Sequence, residues 1–140
     1  MIVLDTNVLS ELMRPTPEPA VIARLDALIV RDLALSSITV AEILFGIGLL
    51  PSGKRKDQLI SAAKTIFETD FQDRIFPFDA DAAVEYAAIV LHRQKSGRPI
   101  SMADGQIAAI CRARKCSLAT RNIRDFEGTG IVLFDPWAEG

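Results

Sequence analysis

The chain opens Met1-Ile2-Val3-Leu4-Asp5-Thr6-Asn7, a short apolar run with a β-branched centre that stops at an acid followed by two small polar residues. A run this short, apolar at every position, suits a strand covered on both faces, as in a parallel sheet flanked by helices. Such sheets bind ligands in the crevice outside the carboxyl ends of their strands, which is where Asp5 falls. The competing reading is that Asp5 or Thr6 only caps the helix Val8 to Met13. For one residue alone capping is the simpler account, so the choice turns on whether other acids return to the same edge.

The rest of the chain alternates helical stretches with further short apolar runs. Three prolines in Arg14-Pro15-Thr16-Pro17-Glu18-Pro19 end the first helix. Val21, Ile22, Leu25, Leu28 and Ile29 then form the stripe of an amphipathic helix over Ala20 to Val30. Leu33 to Ser36 reads as a second strand. Thr39-Val40-Ala41-Glu42 carries the S/T-x-x-E helix start, which puts Glu42 in the first turn after an N-cap at Thr39. Pro51-Ser52-Gly53 breaks that helix, and Lys54 to about Phe71 supplies the next. Arg74 to Asp79 reads as strand three, weakened at Pro77. Ala80 to Gln94 is an alanine-rich helix, and Ser101 caps another that runs through Asp104 to the basic turn Arg112, Arg114 and Lys115. Ser117 to Thr120 and Ile131 to Phe134 give strands four and five, separated by a polar connection over Arg121 to Phe126. Strands joined by helical crossovers predict an α/β fold, a three-layer sandwich with a mostly parallel five-stranded sheet flanked by helices.

Composition narrows the function classes. At 140 residues and 49% hydrophobic content the chain can build one core, and a single domain over residues 1–140 is expected. With 16 Lys and Arg against 18 Asp and Glu, the net charge of −2 excludes a strongly basic nucleic-acid coat but leaves room for local basic patches. Cys111 and Cys116, with His92 the sole histidine, are too few ligands for a zinc cage and read as buried thiols in a reducing compartment. His92 lies on a polar stretch and is given no role. With no leader-like start and no apolar run of membrane length, a cytoplasmic location is expected.

On that fold the acids can be placed. Glu42 follows strand two closely, so its helix start shares the edge with Asp5. Asn122 leaves strand four as Asp5 leaves strand one, with Asp125 one helical turn further on. Asp104 resists placement by topology alone, because a whole helix separates it from strand three. Capping accounts for Glu42 or Asp104 taken singly. Several carboxylates at one edge are a different matter, since they repel and raise one another's pKa unless a cation sits between them. Hard oxygen ligands suit Mg²⁺ or Mn²⁺, and the reaction class this points to is metal-assisted phosphodiester hydrolysis.

At these residues the sequence resembles a known family. Ile2-Val3-Leu4-Asp5-Thr6-Asn7, Thr39-Val40-Ala41-Glu42, Met102-Ala103-Asp104-Gly105-Gln106-Ile107-Ala108-Ala109, and Leu118-Ala119-Thr120-Arg121-Asn122 to Asp125-Phe126 look like the PIN-domain ribonucleases. More narrowly they resemble the VapC-type toxins of toxin–antitoxin pairs, and the ending Phe134-Asp135-Pro136-Trp137 is similar to the FitB-like branch. The resemblance implies a Mg²⁺- or Mn²⁺-dependent endoribonuclease acting on RNA. It also implies a homodimer held inactive by a cognate VapB-type antitoxin, whose DNA-binding part takes the complex to operator DNA. Carried over by position, the acids are Asp5, Glu42 and Asp104, with Asp5 and Asp104 as metal ligands and Thr6 as the hydroxyl beside the first acid. The last acidic position falls on Asn122, with Asp125 the next available carboxylate. Arg121 and Arg124 flank these residues and are the best candidates for RNA phosphates, ahead of Lys54, Arg55, Lys56, Arg112 and Arg114. Trp137 is expected to cover an apolar edge. The rival functions are a phospho-acceptor or aspartate-nucleophile phosphatase, disfavoured by Asn7 and Asp135-Pro136, and a non-enzymatic module of the same fold that acts only by binding its partner.

Overall fold

In the computed structural model, which describes residues 1–138, five parallel strands form one sheet in the order β3-β2-β1-β4-β5. They are β1 (Ile2–Leu4), β2 (Leu33–Ser36), β3 (Ile75–Phe76), β4 (Ser117–Ala119) and β5 (Leu133–Phe134). Seven helices connect them: α1 (Thr6–Leu12), α2 (Pro19–Asp26), α3 (Ser37–Gly48), α4 (Lys54–Thr65), α5 (Ala80–Lys95), α6 (Met102–Arg114) and α7 (Ile123–Phe126). Successive strand residues point to opposite faces, so each strand feeds two cores. Val3, Ala34 and Leu118 pack with Ile89, Ile107 and Phe126 from α5, α6 and α7. Leu4, Leu35 and Ala119 pack with Val8, Val21 and Ile43 from α1, α2 and α3. This is the three-layer sandwich expected from the alternation, and β1 lies at its centre. Among the described residues no helix is long and apolar enough to cross a membrane.

Several boundaries differ from the sequence reading, each for a local reason. Helix α3 is capped by Ser36, whose hydroxyl accepts from Thr39 N at 3.1 Å, not by Thr39. β2 therefore runs into α3 without a loop, and Glu42 lies in the second turn, where it is not a capping-box residue. Helix α2 stops at Asp26, and a 3₁₀ turn over Val30–Asp32 brings the chain to β2, leaving Ile29 63% exposed instead of on the buried stripe. Helix α4 ends at Thr65 and widens into a π turn, Ile66–Asp70. β3 is cut to two residues just before Pro77, which has no N–H to pair. Cys111 and Cys116 are buried free thiols, as expected.

Candidate active site

Asp5 is both things the sequence left open. It ends the central strand, it is the N-cap of α1, and it is only 4% exposed. Its Oδ1 accepts from Thr6 N at 2.8 Å. Its Oδ2 accepts from the Thr120 hydroxyl at 2.7 Å and from Asn7 Nδ2 at 3.2 Å. Thr120 follows β4 as Asp5 follows β1, and its oxygen also accepts from Asn122 N at 3.1 Å. Asn7 reaches back as well, its Oδ1 accepting from Arg121 N at 3.2 Å. The first acid is thus fixed by two neighbouring strand ends, and its carboxylate is oriented before any ligand arrives.

Glu42 is exposed but held. The Thr6 hydroxyl donates to Glu42 Oε1 at 2.7 Å, which commits its single proton. The 2.9 Å contact between the Thr6 and Thr39 hydroxyls therefore has Thr39 as donor. Ser36 in turn donates to Thr39 at 3.4 Å, so a directed row of hydroxyls runs from the end of β2 to Glu42.

Asp104 lies in the first turn of α6, its N–H bonded to the Ser101 hydroxyl at 3.2 Å, as the capping pattern predicts. Packing of α6 against the sheet brings it within reach of the other acids, which topology alone could not show. Burial, with the charges of Asp104 and Glu42 added, pushes Asp5 up to about 6 despite the opposing bonds from Thr120 and Thr6. Burial also raises Asp104, with the charges of Asp125 and Glu42 adding to it and Ser101 and Arg93 working against it. Asn122 and Asp125 are both exposed, and Asp125 N bonds to Asn122 O at 3.0 Å, closing the helical turn that the spacing suggests. Asn122 makes no side-chain cap bond to α7.

Beside Glu42 and Thr6 opens a cleft of about 540 Å³, lined by apolar side chains such as Ile43 and Ile47 and by Arg14, Arg55 and Arg121. Arg121 lies over the Trp137 ring, 5.0 Å from its centre, while Trp137 packs on the core below, as an edge-covering residue should. Arg112 and Arg114 are engaged elsewhere, on Glu85 and over the Phe76 ring, and do not extend a basic track from the acids. Sequence reasoning missed Asn7, Thr39 and Thr120, although the place of Thr120 just beyond β4 was a usable signal.

Among the described residues no three His, Cys, Asp or Glu side chains converge closely enough to grip one ion between them. A Mg²⁺ ion asks for less, since it keeps several waters and takes one or two carboxylates, so the hard oxygens of Asp5 and Asp104 suit it.

The electrostatics give a direct prediction. Because the folded pKa of Asp5 lies above its ordinary value of 3.8, its ionisation opposes folding. Its contribution is most favourable below 3.8 and is lost as pH rises through about 6, a total of about 3 kcal/mol. Thermal melts in EDTA should therefore show the wild type gaining stability relative to Asp5→Asn as pH falls from about 7 to 5. A constant difference would mean that Asp5 is not desolvated.

The same fold is found in solved relatives of this chain. A family model described as PIN domain matches residues 2–131. The chain is 42% identical over 137 residues to Toxin FitB of Neisseria gonorrhoeae, covering 98% of this chain and 99% of that protein. It is also 42% identical to VapC ribonuclease Y4jK of Sinorhizobium fredii, over 98% of each. The solved structure of FitAB bound to IR36 DNA fragment matches with a TM-score of 0.94 at 41% identity, over 100% of this chain and 98% of that one. By its sheet, its edge of acids and these full-length matches, the chain belongs to the PIN-domain family.

Proposed function

We propose that this chain is a Mg²⁺- or Mn²⁺-dependent endoribonuclease toxin, neutralised by a cognate antitoxin protein. The observation that carries the metal-dependent reading is the buried, oriented Asp5 carboxylate, pushed up to about 6 with the charges of Asp104 and Glu42 adding to its burial. A cation would remove that cost. The ribonuclease activity of the similar VapC and the complex named in the similar FitAB structure support the substrate class and the partner. The DNA fragment in the latter supports operator binding by the toxin–antitoxin complex. Exposed Leu44, Phe45 and Leu49 on the outer side of α3 support a homodimer.

In the mechanism, Asp5 and Asp104 would hold the ion, with Glu42 and Asp125 adding negative charge around them. When bound, a divalent ion supplies Lewis acidity toward the phosphodiester and makes water a better nucleophile. The chain's own part is placement. Thr120, Asn7 and Thr6 N aim the Asp5 oxygens. Thr6 holds Glu42 by Oε1, leaving Oε2 to accept a proton from the attacking water. Arg121, propped on Trp137, binds a backbone phosphate of the RNA from the wall of the cleft.

Purified chain without its partner, incubated with RNA in Mg²⁺, should release defined fragments, and EDTA should stop the reaction. In the same assay Asp125→Ala should lose about tenfold or more and Asn122→Ala only a few-fold, because the charge of Asp125 acts on Asp104 while the Asn122 side chain is neutral. Equal losses would put both residues in the same role. Cleavage undiminished by EDTA would overturn the metal-dependent reading, and no cleavage at all would favour a module that acts only by binding.

A further inference from the structure

Arg93 stands out because it is a buried cation with no acid paired to it among the described residues. It is 5% exposed in the last turn of α5 and makes no salt bridge among the described residues. In the sequence it is one more residue of the polar stretch that holds His92. Its guanidinium is instead spent on backbone: Nε donates to Arg98 O at 2.6 Å, and Nη1 donates to Asp125 O and Glu127 O, each at 2.9 Å.

Those carbonyls belong to two segments that are otherwise tied to each other by the exposed Arg98 side chain, whose Nη2 donates to the Glu127 carboxylate and to Arg124 O. Arg98 lies in the connection that leads to Ser101, the cap of α6, and so to Asp104. Asp125 and Glu127 are at the end of α7, a helix of four residues with no side-chain N-cap bond. A helix that short does not persist by itself, and its last carbonyls have no partners within it. Phe126, buried beneath, anchors α7 to the core. The fork of Arg93 supplies the missing partners at the C-terminus, and its planar shape can satisfy carbonyls from both segments at once. A desolvated guanidinium is costly, so this is an expensive way merely to close a loop.

We propose that Arg93 is a positioning residue. By holding the carbonyls of Asp125 and Glu127 against that of Arg98, it fixes where α7 presents Asp125 relative to Asp104. The inference rests on the reading of these two acids given above. It assigns Arg93 no contact with RNA or metal; its charge also reaches Asp104, and its positioning effect runs through Asp125. A lysine would keep the charge but not the fork.

A double-mutant cycle on the purified chain separates this from a general loss of stability. Arg93→Lys should lower kcat for Mg²⁺-dependent RNA cleavage by about tenfold with little change in KM, and weaken Mn²⁺ binding measured by calorimetry. In an Asp125→Asn background the same change should cost less than about twofold in either readout, because the group it acts through is already disabled. Losses that multiply in full would overturn the proposal while leaving the assigned role of Asp125 standing. An Asp125→Asn variant with wild-type cleavage and Mn²⁺ affinity would overturn both. Near-UV circular dichroism checks the fold of each variant. If Arg93→Lys does not fold, Arg98→Ala carries the same cycle at smaller amplitude. It removes a parallel exposed tie, from Arg98 Nη2 to the Glu127 carboxylate at 2.9 Å and to Arg124 O at 3.4 Å.

Discussion

Asp5→Asn is expected to reduce RNA cleavage by about a thousandfold or more and to abolish growth inhibition, with the fold intact. The loss follows from position, because Asp5 alone among the acids is fixed by three donors and buried at the end of the central strand. An amide keeps an oxygen for Thr6 N but withdraws the charge a divalent ion needs. Stability is a balance of two terms. The introduced NH₂ meets Thr120 and Asn7, both now donors to Oδ2; the Thr120 hydroxyl can turn and accept, so one mismatched hydrogen bond is left, to Asn7, at a cost of about 1–3 kcal/mol. Removing the desolvated anion returns about 3 kcal/mol near neutral pH. The metal-free variant should therefore melt no lower than the wild type at pH 7. A variant that still cleaves at the wild-type rate would remove Asp5 from the chemistry.

The second large effect is expected in the partner. Asp5, Glu42, Asp104 and Asp125 form a field of like charge that a guanidinium can compensate as a metal ion does, with bidentate geometry toward a carboxylate. The antitoxin is accordingly expected to present a basic side chain, an arginine by preference, to these acids. Replacing that residue with alanine should weaken the complex by about a hundredfold or more, since it leaves buried carboxylates unpaired, and should restore cleavage in the partner's presence. If the complex keeps full affinity after every Arg and Lys in the toxin-binding segment is replaced, inhibition works through another surface.

The architecture was legible because it rests on local signals. Short apolar runs such as Ile2-Val3-Leu4 and Leu33-Ala34-Leu35, each followed by a helix, leave few alternatives to a parallel sheet in layers. The cap at Ser101 was legible for the same reason. At α3 the local rule misled, since Ser36 and Thr39 are both good caps and only the absence of a loop after β2 decides for Ser36. The grouping of the acids was partly legible. Asp5 and Glu42 follow strand ends, but Asp104 reaches them through the packing of α6, which no spacing encodes. Arg93 was hidden altogether, because its meaning lies in carbonyls 32 and 34 residues away, and from sequence a basic residue in the last turn of a helix looks like a complement to the dipole.

If the acids at the carboxyl edge of the sheet hold a divalent metal, as proposed, calorimetric titration of Mn²⁺ into the free chain, wild type beside Asp5→Asn, will detect it. Three carboxylates with a neutral amide at Asn122 carry charge enough for one ion, and a second ion would need the charge of Asp125 or of RNA phosphate. The expected result is one well-occupied site in the wild type, a second that is weak at most, and no site in the variant. Binding of equal strength in Asp5→Asn, or no binding in the wild type, would contradict it.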